Sequence, residues 1–381
     1  MISMDYDAMA IGNHEFEYGH EIFAWQKNRA PFPVLGANFF YKDTDHPYAQ
    51  AHAIIERDGI RIGVIGIMGQ DAVSAIIPSF IAPLDVTAPR EAVQRSVDEL
   101  RDQVDLIVLL THQGKTAPMQ TDAESDPRLQ RDIDADINLA GAVTGVDVLF
   151  AGHADAGTPE PVVHENTGTI IMQTYGQATH LGYLQLTLDA KSREITAHDG
   201  RLIPVDPALY APDPAIAKKL TDYRGTYPEV QKVVGKTAAR MNRRYIEESD
   251  VGNLFTDAFI AIADTDIAFI HSGSLRKDLP AGDVKLVDLL DTYPFVDDVI
   301  IKQMSGAQIR RALEQSFTLE RGLLQVAGLG VAYDLTRPAG QRLVSLERDG
   351  HAVTDEDVFT VAAPGFLAEG GDLYDMFAES E

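Results

Sequence analysis

Ile11-Gly12-Asn13-His14-Glu15 is the stretch on which the reading of the fold turns. It follows the run 6–11, so an amide, an imidazole and a carboxylate are expected together where a buried strand gives way to a loop. Two later segments repeat the design. Residues 105–110 form a β-type run ending in Thr111-His112-Gln113-Gly114, and 146–150 form another ending in Ala151-Gly152-His153-Ala154-Asp155. Ligands in open α/β sheets gather beyond the carboxyl ends of strands. Three strand ends that each release a His or an Asn therefore point to one shared site, read here as a metal centre.

Composition bounds the classes open to the chain. Its 381 residues suffice for two domains with substantial cores. The 45% apolar and 24% charged fractions are those of an ordinary globular protein. A net charge of −26 with a pI near 4.7 argues against a nucleic-acid partner, which needs clustered Lys and Arg. The same acidity favours solubility and helps retain cations. With no cysteine, disulfides and thiolate ligands are excluded. No apolar run approaches the roughly 20 residues of a membrane span. The N-terminus shows no charged-then-apolar signal pattern.

In chain order, 21–27 reads as helix and 31–38 as a buried strand ending in the Asn38 amide. Residues 53–56 and 61–67 flank Asp58-Gly59, a hairpin signal. Val93, Val97, Leu100 and Val104 share one helical face, which leads into the strand carrying His112. Residues 116–136 are polar and acidic and read as an exposed loop. Strands are expected at 169–173 and 183–188, and four prolines between Pro204 and Pro214 mark an inter-domain connection. A helix over 215–223 follows. Beyond it, helix 253–263, strand 267–270, helix 308–317 and strand 359–362 alternate, with Ser305 as an N-cap. The expected class is α/β.

These residues carry a resemblance. Gly12-Asn13-His14-Glu15, Thr111-His112-Gln113-Gly114 and Gly152-His153-Ala154-Asp155 resemble three blocks of the calcineurin-like metallophosphoesterases. Ser272-Gly273-Ser274-Leu275-Arg276, Pro294-Phe295 and Phe366-Leu367-Ala368-Glu369-Gly370-Gly371-Asp372 resemble the C-terminal domain of the 5′-nucleotidase family. That family includes UDP-sugar hydrolases and cyclic phosphodiesterases. The resemblance implies two domains. Residues 1–203 would be a metallophosphoesterase αββα sandwich lacking its first strands, 204–228 a linker and connecting helix, and 229–381 a mixed α/β substrate-binding domain.

The resemblance also implies metal-dependent hydrolysis of nucleotide phosphate esters, with two divalent cations such as Mn, Zn, Co or Mg. Asn13, His112 and His153 would hold one metal, and Asp155 would face the other. His14 would sit beside the phosphate as imidazolium or general acid. A His at a strand end is also a common structural hydrogen-bonding residue, and Asp155 before Ala156-Gly157 is also a plain turn residue. Phe295 and Phe366 would stack on the nucleobase. Asp372 would accept ribose hydroxyls, and Arg276 would pair with phosphate or anchor its loop. Asp297 stands where many relatives carry Asn, exchanging a donor for an acceptor. Arg243 and Arg244 lie near the family's phosphate-binding arginines, but Met241 and Tyr245 fill the aligned positions, so that role is not carried over. Substrate would lie between the domains, with a hinge over 204–214.

Relatives place an Asp-x-His and a Gly-Asp block upstream of Gly-Asn-His-Glu, so the sequence reads as the later part of a longer hydrolase, with most ligands of the second metal missing. The resemblance further implies a periplasmic or extracellular setting. Two alternatives remain: a remnant that binds nucleotides without hydrolysing them, and a thiosulfohydrolase-like enzyme.

Overall fold

The computed structural model describes residues 1–115 and 133–380. They fall into two compact units, Met1–Pro212 and Asp213–Glu381. The division lies inside the proline-bearing segment. Most of the stretch read as an exposed loop, residues 116–132, lies outside the described residues.

The strands of the first unit are β1 (Met9–Ala10), β2 (Val34–Leu35), β3 (Phe39–Tyr41), β4 (His52–Arg57), β5 (Ile60–Met68), β6 (Leu84–Val86), β7 (Leu106–His112), β8 (Val148–Ala151), β9 (Val162–Val163), β10 (Ile170–Gln173), β11 (His180–Leu188) and β12 (Ile195–Pro204). Its helices are α1 (Gly19–Lys27), α2 (Gln70–Val73), α3 (Pro78–Ile81), α4 (Pro89–Leu100) and α5 (Asp134–Ala142). Six strands form one sheet in the order β4-β5-β7-β8-β10-β9. β5, β7, β8 and β10 run parallel, with β4 and β9 antiparallel at the edges. Val93, Val97 and Leu100 of α4 pack with Ile65, Ile67, Ile107 and Leu109 on one side, where α5 adds Leu139 and Ala140. Each such valine, leucine or isoleucine contributes about 1.5–3 kcal/mol when fully buried. A separate cluster of Ile11, Phe16, Phe23, Phe39 and Met68 covers the segment that brings in Asn13.

Asp58 and Gly59 join β4 to β5 with φ of 51° and 77°, the paired positive values of a type I′ hairpin turn. Three expectations need correction. The run 6–11 yields only a two-residue strand, because residues 1–7 are exposed and have no core to join. β1 pairs in parallel with β2, in a two-stranded sheet of its own, so only two of the three expected strand ends share a sheet. The segment 116–136 is not all loop, since α5 begins at Asp134. Ile133 and Ile137 pack on the same core as Ala140, an i, i+4, i+7 face hidden among acidic residues.

Asn38 is fully buried, and its amide acts as a structural tie. Its Nδ2 donates to Met68 O at 2.7 Å and Thr87 O at 2.8 Å, and its Oδ1 accepts from Met68 N at 3.2 Å. Asn38→Leu strands these backbone groups and is expected to cost about 2–4 kcal/mol. Urea unfolding measures it; an unchanged midpoint would contradict this account.

The second unit opens with α6 (Pro214–Thr226), whose N-cap Asp213 accepts from Ala215 N and Ile216 N. Its strands are β13 (Val233–Thr237), β14 (Ile267–His271), β15 (Gly282–Lys285), β16 (Val299–Ser305), β17 (Leu324–Ala327), β18 (Gly330–Tyr333), β19 (Leu343–Arg348), β20 (His351–Ala352) and β21 (Val358–Pro364). Its remaining helices are α7 (Asp250–Ala263), α8 (Leu286–Thr292), α9 (Gly306–Ser316), α10 (Gly365–Ala368) and α11 (Asp375–Ala378). The central sheet runs β16-β21-β14-β17, and its strand β14 is buried along its whole length. Ser305 caps α9 by accepting from Gln308 N, as its position before the helical pattern predicts. Among the described residues no helix is long and apolar enough to cross a membrane.

Candidate active site

Asn13 opens a single turn of 3₁₀ helix, residues Asn13–Phe16, rather than a loop. The turn is locked from within: Gly12 N donates to Glu15 Oε2 at 2.7 Å, satisfying an N-terminal donor. Burial raises the pKa of the Glu15 carboxyl, and that hydrogen bond opposes the rise. So the carboxylate of the opening motif is a brace. Glycine is required at position 12 because a Cβ there would stand 2.7 Å from the His112 ring.

That close approach places Asn13 Oδ1 2.7 Å from His112 Nε2. The rings of His112 and His153 lie 4.7 Å apart between centroids. The structure thus brings together Asn13, His112 and His153, delivered by three separate elements. β7 and β8 are neighbours, and Gln113 N donates to Gly152 O at 3.3 Å, which extends the pairing past both strand ends. His153 carries φ of 78°, a left-handed conformation uncommon outside glycine. Burial, with the nearby charge of His14, lowers the His112 pKa to about 4. Its imidazole is therefore neutral at pH 7, the form that ligates metals.

Two imidazoles and an amide oxygen suit a divalent ion that takes mixed nitrogen and oxygen donors. Among the described residues no group of three or more His, Cys, Asp or Glu gathers for a metal. The cluster is built on Asn13 as its third donor. Asp155, with φ of 55°, turns its carboxylate against Gly176, where a Cβ would stand 2.5 Å from Oδ2. His14 is about half exposed, and its Nδ1 meets Glu17 Oε1 at 2.5 Å.

In the second unit the predicted residues form smaller groups. The Arg276 guanidinium lies over the Phe295 ring at 5.3 Å, a cation–π contact, and Tyr293 meets that ring edge-on at 5.5 Å. Asp297 Oδ2 accepts from Phe366 N at 3.0 Å, tying the segment that carries Phe295 to the one that carries Phe366. Burial raises the Asp297 pKa, against that hydrogen bond. Asp372, read as the ribose acceptor, is only 6% exposed. Its Oδ2 lies 3.5 Å from His271 Nδ1 and its Oδ1 3.6 Å from Arg321 Nε. Arg244 pairs with Glu247 at 2.9 Å, and the Arg243 backbone N–H donates to Asp278.

Sequence reasoning missed His271, Arg321 and Asp136. His271 directly precedes the quoted block Ser272–Arg276, but nothing local shows that it faces Asp372. Burial holds its imidazole pKa below the usual 6.5, and Asp372 pulls the other way. The unfolded chain takes up a proton near pH 6.5 where the folded chain does not. This stabilising contribution is complete above that pH and lost as pH falls through the window below it. The urea midpoint should drop more steeply from about pH 7 to about pH 5 in the wild type than in His271→Asn. Equal slopes would refute the assignment.

Residues 233–379 match the family model of the 5′-nucleotidase C-terminal domain. Along 98% of its length the chain is 26% identical to a 5′-nucleotidase of Vibrio cholerae, of which it spans 73%. It is 24% identical over 97% of its length to the endonuclease YhcR of Bacillus subtilis, but spans only 30% of that protein. Among solved structures, a 5′-nucleotidase precursor from Thermus thermophilus superposes with a TM-score of 0.83 at 27% identity, covering 99% of this chain and 77% of that one. A sulfate thiohydrolase from the same species superposes at 0.77 over 99% of this chain and 70% of that one, but at 20% identity the likeness shows a shared fold alone.

Proposed function

We propose that the chain, whose residues 233–379 match the 5′-nucleotidase C-terminal domain, is a member of the 5′-nucleotidase family and takes part in metal-dependent hydrolysis of nucleotide phosphate esters. The observation that carries the reading is the meeting of Asn13, His112 and His153 in a chain whose second unit is a 5′-nucleotidase C-terminal domain.

In this reading Asn13, His112 and His153 hold a divalent ion, of the Mn, Zn, Co or Mg type. Bound there, such an ion supplies Lewis-acid polarisation of a phosphoryl oxygen and acidifies a water. His14, tethered by Glu17, presents an imidazole that stabilises charge growing on the phosphate or donates a proton to the leaving oxygen. Asp155, whose carboxylate rests against Gly176, would face a second ion if one binds. Phe295 and Phe366 stack on the base, and Arg276, held over Phe295, neutralises the phosphate. Asp297 fixes the two aromatic segments, and Asp372 serves the ribose through its His271 and Arg321 setting. The family resemblance supports a periplasmic or extracellular setting.

The test is phosphate release from AMP, from a UDP-sugar and from a cyclic nucleotide, before and after chelation and on adding back manganese. Manganese-dependent release from any of them supports the reading. If nucleosides bind and none of the three is hydrolysed, the nucleotide-binding alternative replaces it.

A further inference from the structure

We propose that Asp136 is a positioning residue that holds the two histidine-bearing strand ends in register. This rests on the metal-site reading for its purpose, but not for its geometry. Asp136 is fully buried, an uncommon place for a carboxylate, and the site chemistry above does not use it. It enters from the first turn of α5, where the N-terminal end of a helix favours an acidic side chain.

Its Oδ1 accepts two hydrogen bonds, from Thr111 Oγ1 at 2.6 Å and from Gln113 Nε2 at 3.0 Å. Those donors flank His112 on either side. Side chains alternate along extended chain, so Thr111 and Gln113 point to one face and His112 to the other. Both flanking residues are only 4% exposed. One carboxylate oxygen thus pins the strand end from behind and leaves the imidazole aimed at Asn13. Gln113 carries the constraint further, since its backbone bridges to His153 in the parallel sense and its N–H donates to Gly152 O at 3.3 Å. The neighbouring chain is held as well: Gly69 N donates to His112 O at 2.9 Å, and Gly114 N to Asp71 Oδ2 at 2.6 Å. Freed of Asp136, Thr111 and Gln113 lose the acceptor they share, and the His112–His153 spacing is no longer fixed from behind.

Partners that orient metal ligands typically change affinity by about 10–100-fold when removed. Manganese affinity of the whole chain, measured by calorimetry, should therefore weaken at least about tenfold in Asp136→Leu and stay within about threefold of wild type in Asp136→Asn, which keeps the accepting oxygen. Thr111→Val, which removes one hydrogen bond and keeps the shape, guards against a leucine variant that fails to fold. It should show an intermediate loss that does not add to that of Asp136→Leu. Unchanged manganese affinity in a folded Asp136→Leu or in Thr111→Val overturns the proposal. If the wild type binds no manganese, the metal reading fails by itself. Imidazole NMR signals of His112 and His153 then decide: broadening or doubling in Thr111→Val supports the tether, and unchanged signals overturn it.

Discussion

His112→Ala is expected to abolish manganese-dependent phosphate release and to weaken manganese binding by at least about a hundredfold, more than loss of an outer partner does. The size follows from the geometry. Among the described residues Asn13, His112 and His153 meet here, and His112 is the middle one, 2.7 Å from Asn13 Oδ1 and ring-to-ring with His153 at 4.7 Å. Because burial already keeps its ring neutral at pH 7, its lone pair is available without first losing a proton. Calorimetry with manganese measures the binding, and chelation followed by manganese add-back measures the activity. Add-back should restore the wild type and leave His112→Ala inactive. Equal manganese affinity in the two proteins would remove the metal site from this account.

Phe269→Ala should produce the largest loss of stability, about 3–5 kcal/mol. Phe269 is fully buried on β14, which lies between β21 and β17, and it meets Phe377 edge-on at 5.7 Å and 90°. The substitution removes the ring's transfer energy and leaves a hole that the paired strands on both sides cannot close. Loss of the edge-to-face contact adds about 0.5–1.5 kcal/mol to simple burial. Urea unfolding followed by circular dichroism measures the change. A cost below about 1 kcal/mol would mean that the sheet repacks, contrary to the density of protein cores.

Legibility in the sequence divides by the range of the interactions involved. Asp58-Gly59 announced its hairpin, because the paired positive φ angles suit few residue pairs. Val93, Val97 and Leu100 announced α4 through spacing alone. Ser305 announced the start of α9 through one side-chain hydrogen bond three residues away. α5 stayed hidden because its acidic residues masked the Ile133, Ile137 and Ala140 face. One of those acids, Asp136, points inward for a reason that lies more than twenty residues earlier, at Thr111 and Gln113.

Order along the chain and local spacing by themselves determined the α/β class, fewer than half of the strands and helices among the described residues, and the amide and two imidazoles delivered where strands end. A residue's type and its i+3 or i+4 neighbours carry that much. Which face Asp136 and Asp372 turn to, the brace that Glu15 makes, and the tie from Asp297 to the Phe366 backbone were decided only by tertiary structure. A carboxylate reads the same in sequence whether it meets water or a buried donor. Burial and the donor it meets are set by segments distant in sequence, and those exist as neighbours only after the sheet has assembled.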